Sequence, residues 1–296
     1  MANKSNGGEE WVRAPPPEGS MWERIAKVIY NPQEKSFLGR TPKRWATLFA
    51  FYLVFYTVLA LMFALCMGGL FLSLDEARPT YILGRSLIGS NPGVSYRPLA
   101  PLDSVVRYEL DNVTHYEPYV EQLRSFFTPY SNDIWYSSQT ECVAADNYGY
   151  PESPCFFIKV NRVIGWKPDF YNTTDLPEDM PEDLSDFILQ NVQPTEQKQI
   201  WISCAEEASN GSKIEYPWGR GLSGDFYPYM NSVGYRSPCV AVRVTPAEKN
   251  NLIAIRCRAW ARNIIYNKSI KEATGYTRFQ LYIEDDTAAN ATEPLT

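Results

Sequence analysis

The sequence predicts a single transmembrane helix followed by a mainly β domain that folds as an antiparallel sandwich. Three observations lead to this fold class. Residues 46–74 contain no charged side chain, and an apolar stretch of this length crosses a bilayer as a helix. The residues after it, 75–296, are enough for one compact domain with its own core. Within them, short runs of alternating β-branched and aromatic residues are separated by Gly and Pro, as is typical of strands.

The first segment, residues 1–44, is predicted to be a cytoplasmic tail that is mostly disordered, because it begins polar and rich in Gly and Pro. Its second half contains apolar residues at helical spacing with basic residues between them, which favours one or two amphipathic turns on the inner leaflet. An ordinary basic flank of a membrane span explains the same composition. The apolar residues concerned are Met21, Trp22, Ile25, Val28 and Ile29.

The second segment, residues 45–74, is predicted to be a signal-anchor helix. At about 1.5 Å per residue its uncharged part is about 43 Å long, more than the ~30 Å hydrocarbon core. A cleaved signal peptide would have a shorter apolar core closer to the start of the chain. Eight basic and five acidic residues precede the span, whereas 20 basic and 29 acidic residues follow it. Because basic flanks stay in the cytoplasm, a type II orientation is expected.

The remaining segments are a stalk at residues 75–110, rich in Gly, Pro and Ser, and an ectodomain at residues 111–296. A helix is predicted at residues 117–127, with Pro118 in its first turn and one apolar face. That face comprises Tyr119, Val120, Leu123, Phe126 and Phe127. Strands are predicted at residues 155–164, 200–204, 239–244, 252–261 and 279–284.

Glycosylation sequons and cysteines are concentrated after the span. Five sequons lie there, at Asn112, Asn172, Asn210, Asn267 and Asn290. Five of the six cysteines also lie there, where disulfides persist. An odd number leaves one thiol free, and several pairings are open. Cys142 with Cys155 would close a turn-rich loop, and Cys204 with Cys257 would join two predicted strands.

No catalytic, metal-binding or cofactor-binding site is predicted. The single histidine, His115, excludes sites that need two histidines and is expected to be structural. Glycine-rich phosphate loops are absent, and the net charge of −6 gives no reason to expect nucleic-acid binding. Acidic pairs at 178–179 and 182–183 and the acidic run at 284–286 are expected in solvated loops. A type II glycosyltransferase has no support, because the sequence lacks an Asp-x-Asp motif.

The span itself carries a pattern along one side. Two aromatic and three small residues fall at successive i+4 positions, namely Tyr52, Tyr56, Ala60, Ala64 and Gly68. Small residues let another helix approach closely in lipid, and tyrosine hydroxyls can hydrogen-bond across such an interface. The neighbouring row is bulky and apolar, as expected toward lipid. An accidental row in a simple anchor is the alternative.

These residues make the chain similar to a known family. It resembles the β subunit of the sodium/potassium-transporting P-type ATPase, in a form similar to invertebrate members. The resemblance extends from Phe37-Leu-Gly-Arg-Thr41 through nearly the whole ectodomain. Its most specific motifs are Phe51-Tyr-Leu-Val-Phe-Tyr56, Arg78-Pro-Thr-Tyr81, Tyr116-Glu-Pro-Tyr-Val120, Tyr148-Gly-Tyr-Pro-Glu-Ser-Pro-Cys155, Lys159-Val-Asn-Arg-Val-Ile-Gly-Trp-Lys-Pro168, Phe226-Tyr-Pro-Tyr229 and Ile255-Arg-Cys-Arg-Ala259.

The resemblance implies an immunoglobulin-like sandwich and a non-catalytic role. In this family the α subunit holds the phosphorylated aspartate, the ATP site and the ion sites. The β chain helps α to fold and reach the plasma membrane, and it tunes potassium occlusion. Tyr52 and Tyr56 would face α helices, and the ectodomain would rest on an extracellular loop of α. An adhesion partner or a small regulatory membrane subunit is a further implied partner, besides the lipid bilayer.

The resemblance also implies the disulfide pairs Cys142–Cys155 and Cys204–Cys257. Vertebrate members have a third, earlier bridge for which this chain has no cysteines. Cys239 is therefore expected to be a buried free thiol, and an intermolecular disulfide is the alternative. A cell-adhesion or junction glycoprotein that acts independently of pumping is the alternative function, and a proton/potassium pump subunit is also compatible.

Overall fold

The computed structural model describes residues 20–32, 35–75, 78–87, 89–100, 105–193, 197–208, 211–269 and 274–285. Asn210, Asn290, Asp286 and the predicted disordered residues 1–19 lie outside these ranges. The chain divides into two units, residues 1–75 and 76–296, and each is described by itself.

In the described part of the first unit, two helices are joined by a small hairpin. Helix α1, Met21–Ile29, begins with a capping box in which Ser20 and Glu23 exchange hydrogen bonds between side chain and backbone N–H. Strands β1, Tyr30–Asn31, and β2, Ser36–Phe37, pair antiparallel. Helix α2, Pro42–Ser73, has Pro at its first position and buries none of its residues in the chain. It is long and apolar enough to cross a membrane.

The described residues of the second unit form a two-sheet sandwich with three α-helices. The helices are α3 (Val113–Phe127), α4 (Ile134–Ser137) and α5 (Glu182–Asn191). The strands are β3 (Val94–Arg97), β4 (Val105–Glu109), β5 (Cys155–Val160), β6 (Gln199–Glu206), β7 (Lys213–Glu215), β8 (Gly221–Ser223), β9 (Val240–Thr245), β10 (Leu252–Trp260) and β11 (Tyr276–Glu284). The sheet orders are β4-β11-β10-β6-β8 and β3-β5-β9-β7. The antiparallel sandwich is confirmed, with one exception: β4 pairs parallel to β11.

The core lies between the sheets and extends under α3. Phe156 of β5 stacks on Phe279 of β11, with ring centroids 4.2 Å apart, which joins the two sheets. Because successive strand residues point to opposite faces, Phe157 lies on the other side of its sheet, where it meets Phe127 of α3 at 4.6 Å. A second cluster packs under α5 and comprises Met180, Leu184, Ile188, Trp201 and Trp260. Each sheet therefore has one face in the common core and one face partly covered by a helix.

Two disulfides fasten this unit. Cys142 bonds to Cys155 with an S–S distance of 1.97 Å, and Cys204 bonds to Cys257, which lies directly opposite it on β10. These are the pairs that the family resemblance implies. Cys239 is a buried free thiol, and burial raises its pKa, which keeps it protonated.

The stalk is shorter than predicted. Residues 75–110 are predicted to form it, but β3 and β4 within this range are strands of the two sheets. In β3 the buried residues are Val94 and Tyr96, and in β4 they are Val106 and Tyr108. In both strands they alternate with more exposed neighbours. This alternation is the ordinary pattern of a half-buried strand, and the surrounding Gly, Pro and Ser residues concealed it.

Helix α3 begins earlier than predicted, so that Pro118 lies inside it and not in its first turn. Asn112 caps the helix, because its side-chain oxygen accepts a hydrogen bond from the Thr114 N–H at 3.2 Å. Pro118 removes one helical hydrogen bond, and the burial of Val120 and Leu123 against the core compensates for it.

The first acidic pair, 178–179, lies in an exposed turn, as expected, whereas the second does not lie in a loop. Glu182 and Asp183 form the first turn of α5, where acidic side chains favour the helix dipole. Asp183 pairs at 2.6 Å with Arg220, whose side chain is 8 % exposed. Asp179 pairs at 2.6 Å with Arg258. The carboxylates thus neutralise arginines of the sandwich.

Candidate partner-binding surfaces

The described residues do not form a catalytic or metal-binding constellation. His115 lies at the start of α3, where its Nδ1 is 3.4 Å from a carboxylate oxygen of Glu109, and both side chains are partly exposed. Among the described residues no three potential metal ligands converge. Two exposed surfaces of the described residues are candidates for binding other proteins.

The first surface is the row of five residues along α2. Tyr52 and Tyr56 are 45 % and 59 % exposed, and their rings stack with centroids 5.9 Å apart. Ala60 and Ala64 continue the row without bulk, and a Cβ added at Gly68 would meet no atom within 4 Å. None of the five residues is buried, but neither is any other described residue of α2, so their role as a contact surface for another helix stays a prediction.

The depth of the two tyrosines matters for what this surface can do. The uncharged stretch 46–74 is centred on residue 60, so Tyr56 lies about 6 Å and Tyr52 about 12 Å from the midpoint of the span along the helix axis. Both positions are within the half-thickness of about 15 Å of the hydrocarbon core. Neither hydroxyl has a hydrogen-bond partner among the residues that the structure describes, and a polar group in hydrocarbon without a partner is costly.

A second surface is a cleft of about 800 Å³ in the second unit. Asp133 and Arg236 form an ion pair in it at 3.0 Å, and Trp135 and Phe226 form part of its wall. Nearby apolar side chains point outward: Ile134 is 85 % exposed, and Met230 and Val233 are also exposed. The cleft brings together segments that are about 100 residues apart in the chain.

Next to the cleft, ring contacts and hydrogen bonds connect residues from several segments. The Arg162 guanidinium lies over the neighbouring rings of Tyr229 and Tyr235, at 5.5 and 5.3 Å from their centroids, and its Nε donates to the Ser237 hydroxyl at 3.0 Å. The Tyr130 hydroxyl donates to the Ser237 carbonyl at 3.0 Å, and burial raises the pKa of Tyr130 to about 12. Sequence reasoning missed this cleft, although the motif 226–229 lies beside it.

Three of the five predicted sequons lie in described residues. Asn172 is exposed, and Asn112 and Asn267 are partly exposed. The Asn112 amide nitrogen donates to Glu109 at 3.1 Å, and the Asn267 side-chain oxygen accepts from the Ser269 N–H at 2.9 Å. All three amides are thus at the protein surface, as attachment of a sugar requires.

The comparisons with known proteins agree with this geometry. The family model described as "Sodium / potassium ATPase beta chain" matches residues 16–146 and 133–279. The chain is 34 % identical to the sodium/potassium-transporting ATPase subunit beta-2 of Drosophila melanogaster, over 91 % of this chain and 94 % of that protein. It is 32 % identical to subunit beta-1 of the same organism, over 90 % and 95 %.

A nematode protein extends the similarity. The probable subunit beta-3 of Caenorhabditis briggsae is 28 % identical, over 89 % of this chain and 87 % of its own length. The family model covers the membrane helix and most of the sandwich. The chain belongs to the sodium/potassium ATPase β-chain family.

Proposed function

We propose that this chain is the non-catalytic subunit that pairs with a P-type ATPase α subunit, assists its folding and delivery to the plasma membrane, and modulates its potassium occlusion. The observation that carries the proposal is the pair of tyrosine hydroxyls within the span. A chain that spanned the bilayer alone would leave both of them in hydrocarbon. A helix bundle such as a pump α subunit offers both hydrogen-bond partners and a packing surface.

The proposed topology is single-pass type II, with the sandwich outside the cell. The basic residues before the span support it, and so do the two disulfides of the ectodomain. In this orientation Asn112, Asn172, Asn210, Asn267 and Asn290 reach the glycosylation machinery. A further sequon, Asn3-Lys-Ser, lies before the span and would remain unmodified in the cytoplasm.

The interface on α2 is testable with matched substitutions. We expect Tyr52→Leu with Tyr56→Leu to lower the amount of α subunit that co-purifies by about tenfold, because each interhelical hydrogen bond contributes about 1–2 kcal/mol in model peptides. The measurement is the ratio of α to β after affinity purification from detergent-solubilised membranes.

The control for this test lies one residue away on the helix. Phe51 and Phe55 stack at 6.3 Å on the neighbouring row, and Phe51→Leu with Phe55→Leu keeps the span equally apolar. This control should retain the α subunit. Equal retention by both double variants would show that the tyrosine row is not the interface.

Adhesion between cells is the second candidate function. The exposed side chains of Ile134, Met230 and Val233 beside the cleft favour it, because apolar groups grouped around a concavity are typical of binding sites. Aggregation of cells that express the Tyr52→Leu, Tyr56→Leu chain separates the two functions. Adhesion through the ectodomain should survive this substitution, whereas pairing through α2 should not.

A further inference from the structure

The first unit presents an apolar surface that none of the described residues covers. Met21 and Trp22 at the start of α1 are 78 % and 81 % exposed, and Ile25, Val28 and Ile29 are also exposed. At 100° per residue these five side chains occupy an arc of about 120°, which leaves Glu23 and Lys27 on the opposite side. Helix α1 is therefore strongly amphipathic, and its apolar face has no partner among the described residues.

The hairpin after α1 extends this surface. Tyr30 of β1 and Phe37 of β2 are directly opposite each other and about half exposed, as is Leu38. The Leu38 N–H donates to the Ile29 carbonyl at 2.9 Å, which ties the hairpin to the end of α1. Helix and hairpin thus form one continuous element with apolar side chains on its exterior.

The hairpin is also fastened to the start of the membrane helix. The indole Nε1 of Trp45 donates to the Phe37 carbonyl at 2.8 Å, and the rings of Phe37 and Trp45 lie 6.4 Å apart. Trp45 immediately precedes Ala46, the first residue of the uncharged stretch, and tryptophan is enriched at the membrane–water interface. The hairpin is therefore held at the level where α2 enters the headgroup region.

The charges of this unit match an anionic lipid surface. Lys27, Lys35, Arg40, Lys43 and Arg44 outnumber the acidic residues between positions 20 and 45. On one side of α2, Lys43 and Arg44 are followed toward the middle of the helix by Leu48 and Phe51. Basic groups followed by apolar ones fit a phospholipid headgroup and the start of its acyl chain.

We propose that α1 and the β1–β2 hairpin lie flat in the leaflet on the N-terminal side of the span, with the apolar face among the acyl chains and the basic side chains on anionic headgroups. The occupant of the apolar surface is thus the bilayer itself. Through Trp45 this anchor resists axial sliding and rotation of α2, which keeps the Tyr52–Gly68 row facing a fixed direction. The inference depends on α2 spanning a bilayer and not on the identity of its partner.

The test uses the full chain in nanodiscs of phosphatidylcholine, with and without phosphatidylserine. A nitroxide is attached at Ile25→Cys on the apolar face or at Lys27→Cys on the polar face, in a Cys66→Ala background. Its collisions with oxygen, which concentrates in lipid, and with a water-soluble nickel chelate are then measured. A label at Val28→Cys repeats the apolar-face measurement at a second position, in case one substitution disturbs α1.

We expect oxygen to reach the labels at positions 25 and 28. The nickel chelate should reach these two labels on the order of fivefold less than the label at position 27, because an interfacial helix buries its apolar face about 5–10 Å deep. Phosphatidylserine should increase this contrast, and Lys35→Gln with Lys43→Gln should remove the increase.

Nickel access at all three positions would overturn the proposal, because α1 would then lie in water. Shielding of positions 25 and 28 from both reagents would also overturn it, since protein would then cover the face. A contrast that phosphatidylserine leaves unchanged would contradict the role of anionic headgroups.

Discussion

Replacing Phe127 with Ala is expected to lower the free energy of unfolding of the ectodomain by about 3–5 kcal/mol, the usual cost of deleting a fully buried aromatic side chain. Phe127 is 2 % exposed. Its ring contacts Phe157 of β5 at 4.6 Å, Tyr136 at 4.8 Å and Trp218 at 5.6 Å, so its loss separates α3 from the sheet beneath it. Chemical denaturation followed by near-UV circular dichroism measures the change.

The adjacent Phe126 provides the control. It has the same side chain on the same helix but is only partly buried, so Phe126→Ala should cost no more than about half as much. If the two variants unfolded at the same denaturant concentration, α3 would not be held to the sandwich in the way described.

Removing the Cys204–Cys257 bond is the second change with a large expected effect. The bond closes a separation of 53 residues, and the chain-entropy model gives about 4 kcal/mol for such a loop. Cys204→Ala with Cys257→Ala should therefore destabilise the sandwich more than loss of Cys142–Cys155, whose separation of 13 residues corresponds to about 3 kcal/mol. Denaturation midpoints of the two double variants give the comparison.

Cys239 is the matched control for the cysteine chemistry. It is buried and unbonded, so Cys239→Ala removes a thiol without removing a cross-link and should cost about 1 kcal/mol. Reducing agent should destabilise the wild-type chain and the Cys239→Ala chain alike, and should leave a chain that lacks both bridges unaffected. A reduced wild-type chain as stable as the oxidised one would contradict the structural role of the bridges.

Part of this fold is readable from the sequence because its physical pattern is local. The membrane helix follows from an uncharged stretch, and β6, β10 and β11 follow from alternating apolar residues between turns. Strands β7 and β8 are three residues long, too short for a period of two to be recognised. Helix α5 was missed because its acidic first turn suggested solvent, whereas Leu184 and Ile188 one turn apart are buried.

The candidate interaction surfaces also differ in whether their pattern is local in the sequence. The Tyr52–Gly68 row was predicted because helical spacing alone places its members together. The cleft was not, since the ion pair of Asp133 with Arg236 joins residues about 100 positions apart, and only the folded chain brings them together. The disulfide pairs are an intermediate case: composition predicted cross-links, and the family resemblance, not spacing, selected the pairs.

Co-purification from native membranes tests most directly whether this chain is the partner of a pump. The affinity-tagged chain, solubilised in mild detergent with both disulfides intact, should bring down a P-type ATPase α subunit in comparable amount. The α subunit should be lost with Tyr52→Leu, Tyr56→Leu and kept with Phe51→Leu, Phe55→Leu. Recovery of the folded, disulfide-bonded chain without any P-type ATPase would contradict the proposed function.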